Sequence, residues 1–306
     1  MDIARIVFKA IDGITAYLEN SKRYKGITAE KDIVYDDAHP RMKMDVRYQE
    51  GTKGIKKPVV VYIAGGGFVA GGKKYRTSIT EFFASLGFCT ICPDLRLAPG
   101  VHFPTPLFDL VKALNFIVSL KDEYNLDLDN VVITGDSAGG YFASYAVAIT
   151  THPTLASDLG LPKCDIKFSA FLGLCGVYDF VKMVNIPEPF GIAINTARDF
   201  AGYKFKRNFS NFSDYVYCDY ISPINFVNEN WCKSMLVYAE KDIFCHGQGE
   251  LMSKKMDENG VVYEKSTSKH LLDNHCYFLF EFTKAAKKSL VDIKYFMKKI
   301  RDKTTD

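Results

Sequence analysis

The stretch that most constrains this chain is Gly135–Asp136–Ser137–Ala138–Gly139–Gly140, because of what flanks it. Before it runs Val131–Val132–Ile133–Thr134, a β-branched apolar run suited to a strand buried on both faces. After it, Tyr141 to Ile149 reads as a helix. A chain passing from buried strand to helix through so few residues must turn sharply, and the small residues around Ser137 leave room for that turn. The bare G-x-S-x-G spacing recurs by chance in about one chain in ten of this length; the strand and helix on either side make it specific. Such a turn exposes a serine hydroxyl at the sheet's edge, and the following helix aims its first N–H groups at charge developing there. Ser137 is therefore the candidate nucleophile.

The rest of the chain repeats the strand-helix rhythm. Pro58–Ala64, Phe88–Cys92, Phe168–Leu174 and Met235–Ala239 are further apolar runs of strand length, and Thr80–Leu86 and Leu107–Leu120 are helical stretches between them. Alternation of this kind predicts an α/β fold, a mostly parallel sheet with helices on both faces. Met42, Met44, Val46 and Tyr48 alternate with Lys43, Asp45 and Arg47, which predicts an early strand with one wet face. Residues 3–18 place Ile3, Ile6, Val7, Ala10, Ile11, Ile14 and Leu18 on one helical face. Residues 178–222 break the rhythm; they are rich in aromatics, Asn and Asp, contain Pro187 and Pro189, and exceed what a crossover needs. The organisation expected is one domain over residues 1–306, with residues 1–25 and the 178–222 insertion forming a small cap.

Composition excludes several function classes. Apolar residues make up 47% and charged residues 25% of the chain, and the formal net charge of +3 asks for neither nucleic acid nor an anionic membrane. The lysines of Lys284 to Lys303 alternate with Leu290, Ile293, Phe296 and Ile300, so they read as the wet face of a final helix. The opening helix is interrupted by Arg5, Lys9 and Asp12, so it does not read as a secretory signal, and no run reaches the ~18 apolar residues of a membrane span. The eight cysteines are scattered; Cys89 and Cys92, three apart on a strand, face opposite sides. No metal or cofactor is expected, and a cytoplasmic location with reduced thiols fits this usage. Oligomeric state leaves no mark in the sequence.

Together with the Ser137 turn, two motifs resemble the hormone-sensitive-lipase-like branch of the α/β hydrolases, which includes carboxylesterases and acetyl esterases. One is Ala64–Gly65–Gly66–Gly67–Phe68. The other is Asp94–Leu95–Arg96–Leu97–Ala98–Pro99, followed by Phe103–Pro104 and Asp109. The resemblance spans roughly residues 55–280. It implies an eight-stranded sheet, a serine triad in the order Ser, Asp, His, and an acyl-ester substrate. It also implies an oxyanion hole built from the backbone N–H groups of Gly66, Gly67 and Ala138. Asp94 and Arg96 read as structural groups holding their turn. The chain departs from the pattern at Ala64, where that branch carries His.

Asp242, just after the apolar run Met235–Ala239, matches the branch's position for the acid, with Glu240 as the nearby alternative. Among six histidines, His270 and His275 follow this acid at a workable distance. His275 directly precedes Cys276–Tyr277–Phe278, as the branch's catalytic His precedes an aromatic and a helix, and it is the favoured base. The reading is a serine esterase acting on a small-molecule ester through an acyl-enzyme. Short acyl chains are expected, because Phe180, Phe190, Phe200, Phe205, Phe209 and Phe212 of the insertion can wall off the site. Amide or aryl formamide hydrolysis, or a non-catalytic receptor on the same fold, are the alternatives.

Overall fold

A computed structural model describes residues 3–184 and 191–304. Its strands are β1 (Ile27–Val34), β2 (Lys43–Gln49), β3 (Lys57–Ile63), β4 (Cys89–Pro93), β5 (Leu126–Asp136), β6 (Ala170–Leu174), β7 (Lys233–Ala239) and β8 (Tyr263–Ser268). They form one sheet in the order β1-β2-β4-β3-β5-β6-β7-β8. The β1–β2 and β2–β4 pairings are antiparallel, and the remaining five are parallel. The helices are α1 (Ile3–Glu19), α2 (Thr77–Ser85), α3 (Thr105–Ser119), α4 (Lys121–Tyr124), α5 (Ala138–Thr151), α6 (Leu155–Asp158), α7 (Phe180–Val184), α8 (Ile192–Ala201), α9 (Gln248–Glu258) and α10 (Lys284–Asp302). Among the described residues, no helix is long and apolar enough to cross a membrane.

Two cores cover the sheet. Side chains of α3, α5 and α9 fill one face, and those of α2 and α10 fill the other. Leu290, Ile293, Phe296 and Ile300 are the inward stripe of α10. Cys89 lies in the first core and Cys92 in the second, so the thiols do face apart. Burial pushes the Cys89 thiol up to about 12 and Cys92 higher still.

Two sequence expectations meet corrections here. The polar side of β2 is not wet: Asp45 and Arg47 are 2% and 1% exposed. They are paired to each other at 3.0 Å beneath α2, and Lys73 Nζ lies 2.5 Å from Asp45. Alternation gave the strand, but the crossing of α2 covers its second face. The inward face of α1 is also not the apolar one. Ala4, Asp12 and Glu19 are buried, whereas Ile14 and Tyr17 are 77% and 82% exposed. A buried arginine, Arg76, recruits Glu19 inward and overrides the apolar stripe. Residues 27–34, which the sequence reading leaves unassigned, form an edge strand with no clear alternation, and a bulge between Glu30 and Ile33 shifts its register.

Burial raises the Asp12 carboxyl to about 6, with Glu19 and Asp136 adding to the rise and Arg76 opposing it. One of its oxygens is buried without a hydrogen-bond partner. An acid whose pKa is raised on folding costs stability above its unfolded value. The cost grows as pH climbs from about 4 to about 6 and is constant beyond. Asp12→Asn is therefore expected to stabilise the protein by about 2 kcal/mol near pH 8 and by nothing below about pH 4. Urea denaturation of both proteins at the two pH values checks this.

Candidate active site

β5 ends at Asp136 and α5 begins at Ala138, so Ser137 is the whole connection between strand and helix. It stands at φ 55°, ψ −122°, a strained conformation for a residue with a Cβ. Its N–H donates to the Leu174 carbonyl at 3.0 Å, and its own carbonyl accepts from the Gly140 N–H at 3.0 Å. Glycine at 139 is compulsory, since a Cβ there would sit 1.9 Å from the Ile63 carbonyl oxygen.

The loop after β3 curls alongside. The Val69 and Ala70 N–H groups both donate to the Gly66 carbonyl. The amides of Gly66, Gly67 and Ala138 take no backbone acceptor among the described residues. The loop is braced from behind by Asp136, whose Oδ1 accepts from the Gly65 N–H at 3.1 Å and from the Tyr62 hydroxyl at 2.8 Å. This bond holds the loop without help from residue 64, where alanine stands. Asp136 is fully buried and grips Arg76 through both oxygens, at 2.9 and 2.7 Å. Burial alone would raise its carboxyl, yet Arg76 holds it below the usual carboxylate range. Arg76 in turn donates to Glu19 of α1 at 3.0 Å. Asp94 accepts from the Lys73 N–H, and Arg96 clasps Asp109 of α3, so both are structural but tie their turn to other segments rather than acting within it.

On the far side, His275 Nδ1 lies 2.8 Å from Asp242 Oδ2 and 3.0 Å from Oδ1. A carboxylate only accepts, so Nδ1 carries the proton and Nε2 is left as the basic nitrogen. Asp242 also accepts from the Phe244 and Cys245 N–H groups, each at 2.8 Å. Burial would raise Asp242, but His275 and those two amides hold it low. Burial would lower His275, but Asp242 outweighs it and raises the imidazole well above its ordinary value. The two halves meet next to the key residues: Cys276 Sγ lies 3.9 Å from Asp136 Oδ2. The Ser137 hydroxyl itself makes no hydrogen bond among the described residues. His270 is exposed, its Nδ1 accepting from the Leu272 N–H. Glu240 pairs at the surface with Lys269.

Ser137, Gly67 and Ala138 line a pocket with about 40 Å³ of free volume. Its walls include Phe8 of α1, Met183 of α7, Ile192 and Thr196 of α8, and Phe244 and Cys245. The insertion thus contributes mainly aliphatic groups. Phe180, Phe205 and Phe209 are buried among the insertion's own aromatic rings with Phe212 packed against them, while Phe200 is buried against Phe103, Tyr141 and Phe142 outside it. Phe190 lies outside the described residues. Phe200 stacks on Phe68 with ring centres 4.2 Å apart, fastening α8 to the glycine loop.

Sequence reasoning missed Phe8, Phe244, Cys245 and Arg76. Cys245 and Phe244 closely follow the candidate acid and were within reach of it, whereas nothing in spacing marks Phe8 or Arg76. Asp242, Cys245 and His275 offer ligand atoms within 4.8 Å of one another. The Asp242 oxygens are already engaged by the imidazole and two amides.

A strained serine between strand and helix, next to a three-glycine loop on this sheet, defines an α/β hydrolase of the hormone-sensitive-lipase-like branch. The chain belongs to the BD-FAE family, whose model matches residues 44–256. It is 29% identical over 133 residues to the probable carboxylic ester hydrolase LipM of Mycobacterium tuberculosis, covering 43% of this chain and 30% of that one. It is 25% identical over 155 residues to an isoprenylcysteine α-carbonyl methylesterase of Arabidopsis thaliana, covering 51% and 36%. The matches thus span about a third of those relatives' length. Among solved structures, esterase B from Lactobacillus Rhamnosis superposes with a TM-score of 0.82 at 20% identity, over 98% of this chain and 95% of that one. A bacterial heroin esterase gives 0.76 at 20% identity, over 97% and 90%. At that identity these likenesses establish the fold.

Arg76 is the residue whose loss leaves two buried carboxylates uncompensated. Arg76→Gln is expected to cost about 3–5 kcal/mol of unfolding free energy. Arg23→Gln, whose pair with Glu81 is mostly exposed on the arginine side, should cost about 1 kcal/mol or less. Chemical denaturation of the two variants makes the comparison.

Proposed function

We propose that this chain is a serine esterase, with Ser137 as nucleophile, His275 as general base and Asp242 as the acid that orients it. The observation carrying the reading is the Asp242–His275 pair at 2.8 Å, whose carboxylate is tied to the amides of Phe244 and Cys245, residues that line the same pocket as a strained serine. In the first step the Ser137 oxygen attacks the ester carbonyl carbon while His275 Nε2 takes its proton. The carbonyl electron pair moves onto oxygen, where the N–H groups of Gly66, Gly67 and Ala138 receive it. The tetrahedral species collapses, the C–O bond to the alcohol breaks, and His275 returns its proton to the leaving oxygen. Water then attacks the acyl-enzyme, giving its proton to His275, and the carboxylic acid leaves as Ser137 is restored. No step calls on a metal or cofactor. α1 and the 178–222 insertion serve as the cap, and the chain works in the cytoplasm on a small ester.

The pocket supports a short acyl group. Its free volume of about 40 Å³ is far below the ~300–1,000 Å³ usual for ligand pockets, so a long chain would have to displace a wall such as Phe8. Phe8 lies against the glycine loop so closely that a Cβ on Gly67 would meet its ring at 2.4 Å.

Ser137→Ala should retain the fold by circular dichroism and lose on the order of 10⁴-fold or more in turnover of p-nitrophenyl acetate. A variant with near-normal turnover would refute the triad and favour the receptor alternative. Because Asp242 raises His275, kcat/KM is expected to climb with pH through a limb above the ordinary histidine range. In Asp242→Asn the limb should move down, since the largest influence raising His275 is then gone while burial still lowers it, and the rate should fall by about 10³–10⁴-fold. A limb that stays in place would exclude His275 as the titrating base.

Acetate and butyrate esters should outpace palmitate esters by at least roughly tenfold in kcat/KM. Phe8→Ala should narrow that gap by speeding the longer chains. A rate rising steadily from acetate to palmitate in the natural protein would count against the short-chain pocket.

A further inference from the structure

On the outer side of the glycine loop lies a second cavity of about 670 Å³, far larger than the pocket at Ser137. Ligand pockets run ~300–1,000 Å³. Its lining carries six Lys and Arg side chains and three Asp, an excess of three positive charges equal to the formal net charge of the entire chain. The three carboxylates are already engaged. Lys73 bridges Asp32 and Asp45 at 2.7 and 2.5 Å, Arg47 donates to Asp45 at 3.0 Å, and Arg41 lies 3.5 Å from Asp94. Lys31, Lys43 and Lys74 form no ion pair among the described residues.

The floor is built rather than incidental. Asp45, Arg47 and Lys73 are all buried, and Asp32 reaches Lys73 from the β1 bulge with its backbone at φ 59°. Arg47 spends one N–H on Asp45, while its Nε and second terminal nitrogen are buried with no hydrogen-bond partner. What the buried guanidinium offers the cavity is its positive charge, weakly screened beneath the floor.

We propose that this cavity binds a phosphate-bearing small molecule carrying several negative charges. Each phosphate group offers three acceptor oxygens and up to two charges in a compact volume, which suits a lining with three excess positive charges, where three lysine ammonium groups stand outside any ion pair among the described residues. The site adjoins the candidate catalytic loop. Gly71 and Gly72 line it, Arg41 donates to the Gly71 carbonyl at 3.0 Å, and Gly71 packs so tightly on Gly65 that a Cβ would sit 1.7 Å from the Gly65 oxygen. Occupancy therefore bears on the back of the loop that faces Ser137. The inference does not depend on the esterase reading, since binding is measured without turnover.

The test is isothermal titration of the full chain with inorganic tripolyphosphate at low ionic strength. The natural protein should give saturable binding to one site. The triple variant Lys31→Ala, Lys43→Ala, Lys74→Ala should bind at least roughly tenfold more weakly. A control removing three unpaired lysines from α10 (Lys287→Ala, Lys294→Ala, Lys298→Ala) should bind as the natural protein does. Absence of saturable heat, or equal weakening in both triple variants, overturns the proposal. Citrate binding as tightly as tripolyphosphate overturns the assignment to phosphate.

Discussion

The bidentate pair between Arg76 and Asp136 joins every part of the candidate site. Asp136 is the residue before the serine, and its carboxylate also holds the Gly65 amide and the Tyr62 hydroxyl. Arg76 extends the same network to Glu19 on the first helix. One buried cation thereby fixes the serine turn, the glycine loop and the helix above them in a common frame. Burying these charges is expensive, and their mutual attraction with full hydrogen bonding offsets the expense. The resulting rigidity matters because oxyanion donors help only when they are already aimed.

Backbone strain gathers around that frame. Phe68, Ser137, Cys175 and Cys276, none of them glycine, all have positive φ. Phe68 follows the loop glycines, Cys175 follows β6 beside the serine turn, and Cys276 follows His275. Each such conformation costs of order 1–3 kcal/mol and persists only where its surroundings overrule it. Here the surroundings are the parallel strands. The Ser137 N–H is tied to Leu174 and that of Cys175 to Val237, so the carboxyl ends of β5, β6 and β7 hold one another in register.

Periodicity misled wherever a partner distant in sequence changed the environment of a face. On β2, Asp45 and Arg47 have the spacing of a solvated side, but α2 and Lys73 arrive to bury them. On α1 the larger apolar stripe reads as the inward one. Ionic demand from Arg76 turns the helix so that Asp12 and Glu19 face inward and Ile14 and Tyr17 face water. The insertion's phenylalanines pack on one another or, at Phe200, on Phe68 and the core, so the aromatic part of the pocket wall falls instead to Phe8, Phe68 and Phe244.

What the sequence determined by itself was local. Apolar run lengths set the strands, the Gly-x-Ser-x-Gly turn set the passage into α5, and small residues at 139 and 65–67 made the close approaches sterically possible. The order of Ser137, Asp242 and His275 was legible too, because Ser137 and Asp242 each follow an apolar run of strand length and His275 precedes Cys276–Tyr277–Phe278. Tertiary structure decided what depends on through-space distance: that Asp242 rather than Glu240 reaches His275, that Arg76 bridges helix and elbow, and that scattered lysines converge on one cavity. Charge pairing and burial depend on separation and solvent access, and neither is a property of spacing along a chain.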